Sequence, residues 1–288
     1  MKKLETIECL YPQSLHEALQ ELAAHKSKAK LIAGGTDLVV QWQTGGLPLP
    51  ERAICVSALP ELTKIEESND DIVIGASVTH SSIKHSPAVK QYLPALRMAA
   101  ATVGATQIQC LGTIGGNVAN ASPAGDLAPA LLVTSGSVTV ASAHGERVVP
   151  LNSFFKGYRK LDLKEDEIIV SFHLPKKQKE CTESFRKLGP RKAQAISKVM
   201  AAYRGTVQDR KIKHFAVALG SVAPTAVRLP KLEEWLKGQK LTKALLDEAE
   251  KRASEEVSPI DDIRSTANYR KWVSGRLVRF FLEELMGE

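Results

Sequence analysis

Apolar and polar positions alternate in two different periods along this chain, and the change of period outlines its organisation. From Ser14, the run SLHEALQEL spaces Leu15, Ala18, Leu19 and Leu22 along one helical stripe, and Ser14 with Glu17 three residues on is a capping-box signature. Short apolar runs at residues 30–33 and 52–57 read as strands, giving a small α/β unit in the opening third. A second strand-bearing region begins at 71–77 (DIVIGAS) and continues with a helix over 93–103 and a short apolar helix over 126–133. A hairpin follows at 137–141 and 147–151, turned at His144-Gly145, and then a strand at 167–174 ended by Pro175. The pattern breaks at KKQKE, 176–180, a charged, unpatterned linker. Beyond it come strands at 183–188, 198–208 and 211–222, with Asp209-Arg210 between the last two, and helices at 232–237, 242–256 and 265–286. In the last helix Tyr269, Val273, Arg276, Leu277, Phe280 and Phe281 recur at helical spacing, which reads as core. The pattern predicts an α+β chain: a first part over 1–175, divided near residue 57, and a second part over 181–288.

Two double-glycine runs interrupt this pattern: LIAGGTDL at 31–38 and GTIGGNVAN at 112–120. Each is a short apolar stretch stopped by Gly-Gly and followed by a small polar residue, the composition of a strand turning sharply. Glycine reaches positive φ without a Cβ penalty. Consecutive N–H groups can then converge into an anion-binding nest, and two nests can grip a diphosphate. A lone Gly-Gly is more often an ordinary tight turn, and neither run is a G-x-G-x-x-G or P-loop fingerprint; the signal lies in the pair and its surroundings. After the second run, Asn117, Asn120, Ser122 and Asp126 supply closely spaced polar groups suited to sugar or ribityl hydroxyls, while Asp126 by itself reads more readily as a helix N-cap.

Composition narrows the classes of function. Of 288 residues 43% are hydrophobic and 25% charged, typical of a globular chain, and the net charge is +7. The basic clusters (Arg186, Lys187, Arg191, Lys192; Arg210, Lys211, Lys213) are not interleaved with aromatic residues, which argues against nucleic acid and suits an anionic cofactor. Cys9, Cys55, Cys110 and Cys181 are widely separated, with no C-x-x-C, so the spacing supports neither a zinc nor an iron-sulfur site on this chain. No apolar run approaches the ~20 residues of a membrane span, and a cytoplasmic location is the expectation.

IAGGTDL, TIGGN, ASPAGDLAPA, SFFKGYRK and FRKLGPRKAQAISKV stand in this order along the chain, and together they resemble the FAD-binding subunits of the molybdenum hydroxylases, the xanthine dehydrogenase and carbon monoxide dehydrogenase family. The resemblance covers nearly the whole chain. It implies a two-subdomain FAD-binding domain of the PCMH type, then a three-stranded antiparallel sheet with helices. It sets the FAD diphosphate against the first run, Ile32, Ala33, Gly34, Gly35, Thr36, Asp37 and Leu38, and the second, Thr113, Ile114, Gly115, Gly116 and Asn117. Asp126 aligns with an acidic residue near the ribityl and flavin portion, Ile169 with a position whose backbone approaches the cofactor, and Lys187 with a lysine close to the isoalloxazine. Val103 matches a position that can be aromatic in animal members, so ring stacking there is absent, and Tyr158 is a weaker flavin-contact candidate. The implied partners are a small 2Fe-2S subunit and a large molybdopterin subunit, with NAD or another electron acceptor and neither nucleic acid nor membrane. Two other readings stand beside this one: a self-contained flavin oxidase or reductase, and a basic polyanion-binding module without flavin.

Overall fold

The computed structural model describes residues 4–191 and 193–287; Lys192 of the first basic cluster lies outside the described residues. The first unit runs β1 (Glu8–Leu10), α1 (Leu15–His25), β2 (Ala29–Ile32), α2 (Leu38–Thr44) and β3 (Arg52–Cys55). Its strands form a parallel sheet in the order β1-β3-β2, with Leu10 opposite Ile54 and Ile32 opposite Cys55. Ser14 Oγ accepts the Glu17 N–H at 3.2 Å, opening α1 where the capping signature predicts. The Glu17 carboxylate turns back to the N–H of Gln13 at 2.6 Å, one residue before the expected partner. Ala18, Leu19 and Leu22 are buried against Ala29 and Ile54.

The second unit opens with β4 (Ile65–Glu67) and β5 (Asp71–Gly75), passes through six short helices, and returns to the sheet. The helices are α3 (His80–His85), α4 (Pro87–Tyr92), α5 (Pro94–Thr102), α6 (Thr106–Leu111), α7 (Ile114–Ala119) and α8 (Leu127–Leu132). Then come β6 (Ser137–Ser142), β7 (Gly145–Pro150), α9 (Leu151–Phe154), a small hairpin of β8 (Phe155–Gly157) and β9 (Lys160–Leu161), and β10 (Ile168–Pro175). The five-stranded sheet β4-β5-β10-β6-β7 is antiparallel throughout, and a bulge between Ile169 and Ser171 in its central strand leaves the Val170 carbonyl to accept the Ala76 N–H at 2.8 Å.

The third unit is β11 (Cys181–Leu188), β12 (Val199–Gln208), β13 (Lys211–Gly220), β14 (Val227–Arg228), α10 (Pro230–Leu236), α11 (Lys243–Glu256) and α12 (Ala267–Met286). The turn between β12 and β13 falls on Asp209 and Arg210, at φ 51° and 58°, as the sequence suggests. The expected three-stranded sheet carries a fourth strand, β14, only two residues long and too brief to show a period. Alternation along β12 and β13 splits the sheet's faces: Ala201, Tyr203, Val217 and Leu219 meet the helices, while Met200, Ala202, Ala216 and Ala218 join the core of the second unit. In α12, Val273, Leu277 and Phe281 are buried, and the Tyr203 and Phe281 rings lie 4.6 Å apart. Glu183 and Arg204 form a buried ion pair; Glu183 Oε2 also accepts the Ala95 N–H at 3.2 Å and Arg204 donates to the Pro175 carbonyl at 2.9 Å, fastening α5 to the third unit's sheet. Among the described residues no helix is long and apolar enough to cross a membrane.

Candidate functional site

The two glycine runs touch, and they differ in conformation. The first follows β2 as expected: Gly35 has φ 67°, and the chain enters α2 at Leu38. A Cβ on Gly34 would sit 1.9 Å from the carbonyl oxygen of Leu111, so the glycine lets loop 33–37 lie directly on the residue before the second run. Among the described residues the N–H groups of Gly34, Gly35, Thr36 and Asp37 have no protein acceptor. Such groups on a half-buried loop seek an anion or water.

The second run is no turn after a strand. Gly112 follows helix α6, and Gly115 and Gly116 lie inside α7, neither with positive φ. Thr113 caps this helix, its Oγ1 accepting the Gly116 N–H at 3.0 Å. The Ile114 and Gly115 N–H groups donate to the carbonyls of Val78 and Ala76 at 3.0 and 2.8 Å, so the backbone nest suggested by the sequence is already satisfied by protein. Glycine at 115 serves close packing: a Cβ there would meet the Ala76 oxygen at 2.6 Å. Gly116 is exposed, and a Cβ would meet only Thr113 Oγ1, at 3.0 Å. Behind this helix start, His80 is buried against Gly112, donates its backbone N–H to the Gly112 carbonyl at 3.0 Å and leaves Nδ1 without a partner; burial lowers its pKa to about 4 and keeps the ring neutral.

A side-chain bond also joins the runs, from Asn120 Nδ2 to Asp37 Oδ2 at 3.3 Å. Past α7, Ser122 closes a turn by accepting the Ala124 N–H, and Asn117 Oδ1 faces Gly125. Asp126 follows, at the helix-cap position of α8 but making no capping bond. Its side chain instead turns to Lys187 of β11, whose ammonium lies 2.5 Å from Oδ2 and 3.1 Å from the Thr102 carbonyl. Both side chains are less than a tenth exposed, and among the described residues Asp126 Oδ1 is buried with no hydrogen-bond partner. Burial raises the Asp126 pKa to about 6, against the opposing pull of the Lys187 charge. Val103 ends α5 beside this pair and is tied to α6 by Gln109 Nε2, which donates to its carbonyl at 3.0 Å. Ile169 is buried in β10, one residue before the Val170 carbonyl that binds Ala76, itself bonded to Gly115. Tyr158, by contrast, is 63% exposed on the β8–β9 hairpin, beneath the Arg159 guanidinium.

Asp37 is joined to the second run through Asn120, and Asp126, ten residues after Gly116, is joined to Lys187 and through it to Thr102. Thr102, Gln109 and His80 take part without having stood out in the sequence. The first two act through a main-chain carbonyl and a carboxamide that pattern does not mark, and His80 sits in an unremarkable apolar stretch.

Comparison with known proteins shows which family this fold belongs to. Residues 5–177 match the family of the FAD binding domain in molybdopterin dehydrogenase, and residues 184–285 match the CO dehydrogenase flavoprotein C-terminal domain. The chain is 30% identical to the carbon monoxide dehydrogenase medium chain of Hydrogenophaga pseudoflava, over 93% of each chain. It is equally similar to the nicotine 6-hydroxylase medium subunit of Paenarthrobacter nicotinovorans, over 96% of each. Its fold superposes on carbon monoxide dehydrogenase from Hydrogenophaga pseudoflava with a TM-score of 0.94 at 29% identity, covering 98% of this chain and 97% of that one. Quinoline 2-oxidoreductase from Pseudomonas putida 86 gives 0.93 at 25% identity, over 99% of each. The chain belongs to the FAD-binding subunits of the molybdenum hydroxylase family, its cofactor is FAD, and it is a subunit of an oxidoreductase.

Proposed function

We propose that this chain is the electron-transferring FAD subunit of a xanthine dehydrogenase-type molybdenum hydroxylase. It works in the cytoplasm with a small 2Fe-2S subunit and a large molybdopterin subunit, and delivers electrons to NAD or another acceptor. The observation that carries this reading is the match over most of the length of proteins named as the medium or FAD-binding subunits of a carbon monoxide dehydrogenase, a xanthine dehydrogenase and a nicotine 6-hydroxylase. The division into residues 1–175 for FAD, split near residue 57, and 181–288 for the second domain is supported by the separation of the two family matches at 177 and 184.

Bound FAD supplies reversible acceptance and release of electrons. What the chain contributes is binding and electrostatics. The free N–H groups from Gly34 to Asp37 suit the diphosphate. The exposed face of Gly116, beside Thr113 and Asn117, leaves room for a cofactor to lie against α7. Asp126 Oδ1, a buried acceptor without a donor, suits a ribityl hydroxyl or a ring N–H. Lys187 keeps a cation where negative charge builds on reduction, held in place by Thr102 and Asp126. Ile169 and Val103 supply backbone and apolar contact.

The test is to purify the chain through a tag from cells expressing its partners. Iron, molybdenum and FAD should co-purify, and substrate should reduce the flavin only in the assembly. Hydroxylation or flavin-dependent turnover by the chain alone would favour a self-contained enzyme, and a colourless protein that retains polyanions would favour the binding module.

A further inference from the structure

Lys187 takes part in a second feature. On the edge of the third unit's sheet, Lys84 of α3, Arg97 of α5, and Arg186 and Lys187 of β11 line one pocket of about 380 Å3, floored by Met98 and Phe185 among others. No carboxylate lines it. Among the described residues Lys84 and Arg97 have no acidic partner; Arg97 spends only its Nε, on the Lys84 carbonyl at 3.0 Å. Arg186 pairs with Glu284 at 3.3 Å and lies over the Phe280 ring, a half-exposed pairing that contributes little. Lys84 and Arg97 thus stand without counter-charge beside two further cations, Arg186 and Lys187, whose carboxylate partners lie outside the pocket lining, and a bound oxyanion relieves the repulsion among them while gaining charge-assisted hydrogen bonds. The volume lies in the range of small-molecule sites, and an apolar floor under a cationic rim suits a compact anion better than a flat protein surface would.

We propose that this pocket is a binding site for a small diphosphate-bearing molecule, separate from the FAD diphosphate cradle at the glycine loops. A ligand here would sit next to the Asp126–Lys187 pair, so its charge would be felt by that pair.

The experiment titrates pyrophosphate into flavin-loaded protein, whose glycine loops are filled, and reads binding by calorimetry at low ionic strength. One site is expected, weakened at least tenfold in the double variant Lys84→Gln/Arg97→Gln and unchanged in Arg210→Gln/Lys213→Gln, which removes the same charge elsewhere. Equal binding to wild type and Lys84→Gln/Arg97→Gln, or none to wild type, would overturn the proposal. Loss of FAD from Lys84→Gln/Arg97→Gln would also overturn it, by making the pocket part of the flavin site. Should the protein carry no flavin, Gly34→Ala disables the glycine-loop cradle, and the component of binding lost in Lys84→Gln/Arg97→Gln must survive in Gly34→Ala.

Discussion

Lys187 and Asp126, 61 positions apart in the chain, form one buried ion pair whose ammonium and carboxylate lie 2.5 Å apart, with the Thr102 carbonyl as the lysine's second acceptor. The pair bridges the second and third units. Read separately from the sequence, the two residues serve different parts of a flavin; in the structure neither can be changed without altering the other.

Breaking such a pair from one side leaves an uncompensated buried charge. Lys187→Met should therefore destabilise the flavin-free protein by about 3 to 5 kcal/mol, and adding Asp126→Asn should recover part of that loss. Urea unfolding of the two single variants and the double variant measures the coupling. Strict additivity would mean that the pair carries no mutual energy.

The Asp126 pKa of about 6, raised from 3.8 by burial, gives a pH signature. Between these values the folded chain holds a proton that the unfolded chain has released, so this group's contribution to stability falls as pH rises from about 4 to about 6 and is level above. Asp126→Asn removes that term. Without flavin, the variant should gain on wild type across this window, seen as a melting-temperature difference that widens from pH ~4 to pH ~7. A difference independent of pH would contradict the assignment.

With FAD bound, Lys187→Met should lower the flavin midpoint potential, because the negative charge of the reduced form loses a nearby cation. For scale, about 1.4 kcal/mol corresponds to about 30 mV for a two-electron couple. Potentiometric titration with bound FAD quantified is the check; an unchanged potential would leave the lysine a structural residue only.

The sequence makes the long periodic elements legible. The α1 cap at Ser14, the hairpin turn at Gly145 and the buried stripe of Val273, Leu277 and Phe281 all fall where pattern places them, because local spacing and capping chemistry decide them. Short elements escape: α7 has six residues, two of them glycine, and reads as a turn until Thr113 is seen capping it and Ala76 and Val78 are seen taking its first N–H groups. The Asp126–Lys187 contact escapes for a different reason. It depends on how two units pack, and no local period records that.

The glycines of the first run divide by cause. Gly34→Ala places a Cβ 1.9 Å from the Leu111 carbonyl oxygen, a rigid backbone atom, and should push the two runs apart and release FAD. Gly35→Ala should cost about 1 to 3 kcal/mol through its φ of 67° and its contact with Val39 at 3.1 Å. Thermal unfolding with and without added FAD separates the effects: both variants should lose intrinsic stability, and Gly34→Ala should in addition lose most of its response to FAD.

Gly116 offers the most direct test that FAD lies across the paired runs, since it is exposed, has an ordinary helical backbone, and a Cβ there would meet only the capping Thr113 Oγ1, at 3.0 Å. The measurement is acid-released flavin per chain, with the flavin identified, from wild type and from Gly116→Val, alongside the stability of each after stripping. Roughly one FAD per wild-type chain, little or none in the variant, and a stripped variant that still folds, weakened by no more than a lost helix cap of about 0.5–2 kcal/mol, is the predicted result. A variant that keeps its full complement of FAD, or a wild type that releases FMN, would contradict it.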